Sequence, residues 1–212
     1  MYKISLLLLL VVLLSTLVAA QDADKDKDKR RFEFFGGYSY LITDPEETGD
    51  PIDHQDNLDG FNVAATYNIT KRFGITSDFS AHFAKNTQNI TGGTISFNSK
   101  SFNFFVGPQY KFTNKTRVTP FVHALAGISN NRFSYRATAT GATTPAAEAS
   151  LSITDFALAI GGGLDVRVNK RVSIRAFQID YSPVFVQSRP QFGIDGNRRF
   201  DNVRFSIGIV FK

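Results

Sequence analysis

The feature that most constrains the fold of this chain is an alternation of apolar and polar residues with a period of two. In the last ten residues, VRFSIGIVFK, every second residue from Val203 to Phe211 is apolar or aromatic. A stripe of this kind places one face of a β-strand against an apolar medium. Seven earlier segments alternate in a similar way, so the sequence predicts eight strands. The expected strands are 32–42, 58–69, 72–83, 99–112, 117–128, 153–167, 171–181 and 203–212.

The connections between these segments predict an antiparallel sheet. The gaps after strands 2, 4 and 6 are short, whereas those after strands 1, 3, 5 and 7 are long and polar. No intervening segment has a helical period long enough for a parallel crossover. We therefore expect an all-β, eight-stranded antiparallel up-and-down barrel, because closure leaves no strand edge free to aggregate.

Two local features refine this expectation. In strand 7, Ile174 belongs to one apolar face and Phe177 to the other, and a β-bulge near Ala176 would restore the alternation. Residues 131–141 and 148–156, in the gap after strand 5, can pair as a hairpin that extends past the barrel.

The composition of the two strand faces indicates that the barrel is transmembrane. One face is dominated by Gly, Asn, Ser and Thr, which suits a filled interior, and the other by Phe, Tyr, Val and Ile. Each strand also has the roughly 9 to 11 residues needed to cross a bilayer at a tilt. Aromatic residues at the short-turn end predict a periplasmic interfacial girdle. Its expected members are Phe32, Tyr67, Phe73, Tyr110, Phe112 and Phe211.

The N-terminus has the pattern of a signal peptide. A basic start at Lys3, an apolar run from Leu6 to Leu14 and the small residues before position 21 predict cleavage after Ala20. Residues 21–31 are highly charged and predict a flexible lead-in. The expected organisation is therefore a signal peptide (1–20), a lead-in (21–31) and a barrel (32–212), with a periplasmic N-terminus.

Together, the signal peptide, FNFFVGPQYKF, VTPFVHALAG and the C-terminal stripe resemble the small bacterial outer-membrane β-barrels of the eight-stranded OmpA/OmpX-like kind. The resemblance implies a location in the bacterial outer membrane, with outer-membrane lipid around the barrel. In that family the final strand ends in an aromatic residue that the barrel-insertion machinery recognises. Here Lys212 follows Phe211, which departs slightly from that pattern.

Charged residues on the polar face predict a structural network in the barrel interior. Unpaired charge is costly in a narrow interior, so these side chains should pair across strands, and the histidines should serve as polar filling. An eight-stranded barrel leaves just enough room for side chains. The expected members of the network are Glu33, Asp78, His82, His123, Asp165, Arg167, Arg175 and Arg204.

The sequence offers little for catalysis or cofactor binding. It contains no cysteine and three histidines, of which His54 lies in the first long gap. A lipid hydrolase at the barrel rim would need a serine near His123, and His123 is followed by Ala and Leu. The nearest approach to a calcium loop, 55–60, has Gln where the first Asp should be. We therefore expect no enzyme activity, metal or cofactor.

Three functions remain open from the sequence. The first is a structural or surface-interaction protein whose long loops, especially 129–152 and 182–202, contact an extracellular surface or host ligand. The second is a narrow channel or minor porin. The third is a rim-localised lipid hydrolase resembling the lipid A deacylases. The formal charge of +5 comes from scattered residues, so we expect no nucleic-acid partner.

Overall fold

A computed structural model describes residues 31–43, 57–139, 147–189 and 196–212. The predicted signal peptide with its cleavage after Ala20, and all of the lead-in except Arg31, lie outside the described residues. No helix among the described residues is long and apolar enough to cross a membrane. The strands are β1 (Phe32–Ile42), β2 (Leu58–Asn68), β3 (Phe73–Ile90), β4 (Gly93–Lys111), β5 (Val118–Ala139), β6 (Ala147–Arg167), β7 (Val172–Val186) and β8 (Arg198–Phe211).

The strands form a closed antiparallel barrel in sequence order, which confirms the predicted fold class. Each strand pairs with the next, and β8 closes the barrel by pairing with β1 from Phe34↔Phe211 to Ile42↔Val203. Gly37 and Gly208 face each other in this seam, where a Cβ on Gly37 would lie 2.0 Å from the Ile207 carbonyl oxygen. Only glycine permits this approach of the two strands.

The sequence predicted a long connection after strand 3. This prediction is wrong, because β3 and β4 continue as a paired hairpin. They are joined by Thr91 and Gly92, and Gly92 has a φ of 88°, as a tight hairpin turn requires. Beyond Phe83 both faces of this hairpin are mostly polar, so hydrophobic alternation could not reveal it. The predicted hairpin after strand 5 is confirmed: β5 and β6 pair from Asn131↔Ile153 to Ala137↔Ala147.

The β-bulge predicted near Ala176 is confirmed. Along β8 the register shifts between Arg175, which pairs with Gly208, and Gln178, which pairs with Ser206. Two residues of β7 therefore stand opposite one of β8. As a result, Arg175 and Gln178 both point into the barrel, although their spacing of three would otherwise place them on opposite faces.

Exposed apolar side chains form a belt around the outside of the barrel. On β3 the belt runs from Phe73 to Phe83, a rise of about 26 Å for a strand tilted by about 40°. That height matches the apolar band of membrane barrels. The next outward-facing residues on β3 and β4 are Lys85 and Lys100. We call this band the apolar belt.

The barrel interior is filled by side chains of two kinds. Buried apolar residues form a cluster that includes Phe105, Leu125 and Val184, and a smaller one with Phe35 and Val210. The rest of the interior is polar and mostly hydrogen-bonded, and its centre carries charge.

Candidate functional site

Arg204 lies at the centre of the barrel interior, where its side chain is 1% exposed. Its Nη1 donates to Asp78 Oδ1 at 2.7 Å and to Ser80 Oγ at 3.0 Å. Its Nε and Nη2 donate to Asp180 Oδ2 at 3.0 and 2.7 Å. One guanidinium therefore joins carboxylates on β3 and β7 to β8.

Asp180 extends this arrangement towards β5. His123 Nε2 lies 2.8 Å from Asp180 Oδ1, and Gln178 Nε2 donates to Asp180 Oδ2 at 2.6 Å. On the other side, Asn62 Nδ2 donates to Asp78 Oδ2 at 2.9 Å. We call Arg204, Asp78, Asp180 and His123 the Arg204 cluster.

A second buried cation, Arg175, is held by both a carboxylate and aromatic rings. Its Nε and Nη2 donate to the two oxygens of Asp165 at 2.9 and 3.3 Å, and its Nη1 donates to Gln178. The guanidinium carbon lies 4.4 Å from the ring centroid of Phe35 and 4.1 Å from that of Phe121. The cation–π contacts help to replace the hydration that this charge loses on burial.

A third ion pair lies near the short-turn end of the interior. Lys111 Nζ is 2.6 Å from Glu33 Oε2, and both side chains are nearly buried. Asn68 joins them, donating to Glu33 at 3.1 Å and accepting from Lys111 at 2.9 Å. Lys111 balances the charge of Glu33 in the barrel interior.

The structure places seven of the eight residues predicted for the interior network inside the barrel, and Arg167 differs. Arg167 is the last residue of β6, exposed, and donates to the Thr116 carbonyl oxygen in the adjoining turn. The alternation along β6 places Arg167 on the inward-facing side of the strand. However, the barrel wall ends at this residue, so the side chain reaches solvent. Asp180, Gln178 and Lys111 were not predicted; a bulge assigned at Ala176 would have revealed the first two.

The two histidines among the described residues, His82 and His123, form buried contacts. His82 Nε2 lies 2.9 Å from Ser39 Oγ, but both residues are fully buried and His82 Nδ1 has no partner among the described residues. No serine hydrogen-bonds to His123 in the described part of the chain. His54 and residues 55 and 56 of the segment nearest in pattern to a calcium loop lie outside it, and no group of three or more metal-ligating side chains occurs within it.

The six residues predicted for the aromatic girdle lie at the short-turn end and are exposed. Phe32 pairs with Tyr67, with ring centroids 5.0 Å apart, and Phe73 pairs with Tyr110. The rings of Tyr110 and Phe112 lie 5.1 Å apart. Phe211 on β8 pairs with Phe34 on β1. The aromatic residues therefore continue along the rim across the β1–β8 pair that closes the barrel.

At the opposite end, the sheet continues beyond the apolar belt. The paired extensions of β3, β4, β5 and β6 carry an aromatic and aliphatic strip on the face that continues the barrel interior. Phe97 pairs with Tyr135, with ring centroids 5.3 Å apart, and Phe133 pairs with Leu151. Phe133 is 50% exposed. We call Phe97, Phe133, Tyr135 and Leu151 the hairpin strip.

Next to this strip, the segment after β7 is tied to β6. Arg189 Nη2 donates to Asp155 Oδ1 at 2.7 Å and to the Thr154 carbonyl oxygen at 3.1 Å. The Asp155 side chain is 2% exposed, so a buried carboxylate anchors the start of the last long connection.

Comparisons with known proteins agree with this architecture. Residues 7–211 match the family described as the outer membrane protein beta-barrel domain. Ail, the attachment invasion locus protein of Yersinia pestis, has a similar structure, with a TM-score of 0.50, 19% identity, and coverage of 85% of this chain and 97% of Ail. OprG from Pseudomonas aeruginosa has a TM-score of 0.52, 12% identity and coverage of 85% and 94%.

A third similar structure is Neisserial surface protein A, with a TM-score of 0.50, 15% identity and coverage of 85% of this chain and 96% of that protein. At these identities the likeness concerns the fold alone. No curated protein matches the sequence.

Proposed function

Because this chain belongs to the outer membrane protein β-barrel domain family, we propose that it is a non-enzymatic surface-interaction protein of the bacterial outer membrane. The observation that carries this proposal is the hairpin strip, a partly exposed aromatic and aliphatic surface on paired strands beyond the apolar belt. Strands that pair with each other hold such a surface in place, so its partner need not order it on binding. Exposed apolar surface outside the membrane is typical of binding sites.

The filled interior supports this proposal over a channel. Arg204, Arg175 and Phe105 occupy the interior with exposures of 1%, 5% and 1%, and their partners come from most of the strands. A hydrated path for a solute would require these contacts to break. These side chains act as a structural plug. Interaction with the environment therefore falls to the end of the barrel that carries the long connections.

The proposed orientation places the short turns and the aromatic girdle in the periplasm and the hairpins outside the cell. The native chain has no cysteine, so single cysteines can report this without background. A membrane-impermeant maleimide should label Thr91→Cys on intact cells and label Lys115→Cys only after permeabilisation. The opposite pattern would reverse the orientation and remove the hairpin strip from the cell surface.

Binding to the outside can be tested on intact cells that produce the protein. Cells should adhere to host-cell layers or to immobilised matrix components, and the double variant Phe133→Ser/Tyr135→Ser should lose this adhesion. Heparin belongs among the probes, since Ail was solved with the heparin analogue sucrose octasulfate. The matched control is Phe61→Ser on the apolar belt of β2, which leaves the hairpin strip unchanged. Equal adhesion by the double variant, at an equal amount of folded barrel, would contradict the proposal.

Assembly partners follow from the same family membership. We propose that the signal peptide is removed after Ala20 and that the barrel-insertion machinery recognises the β8 stripe ending at Phe211.

A further inference from the structure

Three cations lie side by side on the outer wall of the barrel, directly beyond the apolar belt. Lys100 on β4 pairs with Arg132 on β5, and Lys85 on β3 is diagonal to Lys100 because it pairs with Asn98. All three side chains are exposed and face away from the barrel axis. We call Lys85, Lys100 and Arg132 the basic wall patch.

Within the part of the chain that the structure describes, the contacts of this patch are uncharged. Arg132 Nε donates to Asn130 Oδ1 at 2.9 Å, and its guanidinium lies 5.6 Å from the Phe102 ring, but neither partner carries charge. No carboxylate of the described residues forms an ion pair with any of the three cations. Like charges directly opposite each other on adjacent strands destabilise a sheet. The Lys100–Arg132 pair therefore costs stability unless an external anion joins it.

Other charges outside the belt behave differently. Arg136, further along β5, pairs with Glu148 at 2.9 Å. On the other side of the barrel, Asp201 accepts from Tyr181 at 2.6 Å and pairs with Arg199 at 2.8 Å. At this end of the barrel, the three neighbouring cations on β3, β4 and β5 thus have no carboxylate partner among the described residues.

The patch lies at the height where lipid headgroups meet the barrel. Lys85 is the next outward residue after Phe83, and Lys100 is the next after Phe102. The rings of these two phenylalanines pack against each other with centroids 5.8 Å apart, at the edge of the belt. Lys and Arg at such a position extend along apolar surface while their charged groups stay at the headgroup level.

We propose that the basic wall patch binds the phosphate group of an anionic membrane lipid. The acyl chains of that lipid would lie along the Phe83–Phe102 pair, and its phosphate would accept hydrogen bonds from Lys85, Lys100 and Arg132. A guanidinium can hold two phosphate oxygens at once, and the two ammonium groups act as point charges beside it. A lipid satisfies both the charge and the apolar surface below it, whereas a free anion satisfies the charge alone.

The test uses the purified protein in zwitterionic micelles, labelled for NMR and titrated with a short-chain phosphatidic acid. Amide signals around residues 85, 100 and 132 should shift and saturate as the mole fraction of this lipid rises. Each cation near an anionic lipid contributes about fivefold in affinity. The triple variant Lys85→Gln/Lys100→Gln/Arg132→Gln should therefore bind about a hundredfold more weakly, as measured by the midpoint of the titration.

Three controls decide the interpretation. Lys71→Gln/Lys115→Gln/Arg117→Gln removes the same charge from the exposed short-turn end and should leave the midpoint unchanged. Inorganic phosphate at the same concentration should give no saturating shifts, and equal shifts would assign the patch to free anions instead. Heparin binding that depends on the same three residues, without a response to the lipid, would assign it to a soluble polyanion. Unchanged lipid binding by the patch variant would overturn the proposal outright. None of these outcomes depends on adhesion through the hairpin strip.

Discussion

Replacing Arg204 by methionine tests whether the interior charges stabilise the barrel as a coupled group. Methionine keeps most of the side-chain volume but leaves Asp78 and Asp180 buried without their shared cation, with side-chain exposures of 2% and 0%. Removing one partner of a buried ion pair costs about 3 to 5 kcal/mol, mainly because the remaining charge is not compensated. We expect Arg204→Met to lower the free energy of unfolding by that amount.

The matched control is Arg136→Met on the outer hairpin. Arg136 and Glu148 form an ion pair of similar length, 2.9 Å against 2.7 Å for Arg204, but their side chains are 55% and 54% exposed. Pairs of this kind contribute about 0 to 1 kcal/mol. The comparison therefore isolates burial, since both variants remove an arginine that contacts a carboxylate.

Urea unfolding in lipid vesicles provides the measurement, with the folded fraction taken from the heat-sensitive band on unheated SDS gels. For a urea dependence of about 2 to 3 kcal/mol per molar, Arg204→Met should lower the midpoint by about 1 to 2.5 M. Arg136→Met should leave the midpoint almost unchanged. Equal shifts for the two variants would refute the reasoning, because burial would then have no effect on the strength of these pairs.

Three further predictions follow from the facing of the strands and the closure of the barrel. Val63→Arg or Ile160→Arg should cost about 2 to 4 kcal/mol in the same unfolding assay, while Thr66→Arg meets the interior and should act mainly through crowding. Deleting 203–212 should prevent insertion, as judged by the heat shift in outer-membrane fractions, since β1 and β7 would keep open edges in lipid; deleting 22–29 should not. In planar bilayers the protein should give no steady conductance, and regular porin-like steps would contradict a filled interior.

The sequence predicted the barrel because lipid and a polar interior impose opposite requirements on alternate residues. Where both faces of a strand meet water, as after Phe83, that signal disappears, and the β3–β4 hairpin was missed. The alternation also does not show where the barrel wall ends. For this reason the sequence predicted an interior position for Arg167.

The interior was only partly predictable for a second reason. The alternation identified which side chains point inward, but the partner of each depends on strand register. The break in the alternation predicts a bulge near Ala176, which brings Gln178 and Asp180 into line with Arg175, but it does not identify the cross-strand partner of either residue. The Arg204 cluster could therefore be foreseen as charged residues in one interior, but not as a specific set of contacts.

The contacts of Arg204 have a consequence for the order of assembly. Arg204 belongs to the last strand, and its bond to Asp78 joins residues 126 positions apart. Until β8 is in place, the carboxylates of β3 and β7 lack this cation and must stay hydrated or protonated. Water can therefore leave the centre of the barrel only after the final strand has entered. Closure of the wall by β8 and the loss of water from the interior are thus coupled, and a chain that lacks β8 would keep these carboxylates in contact with water.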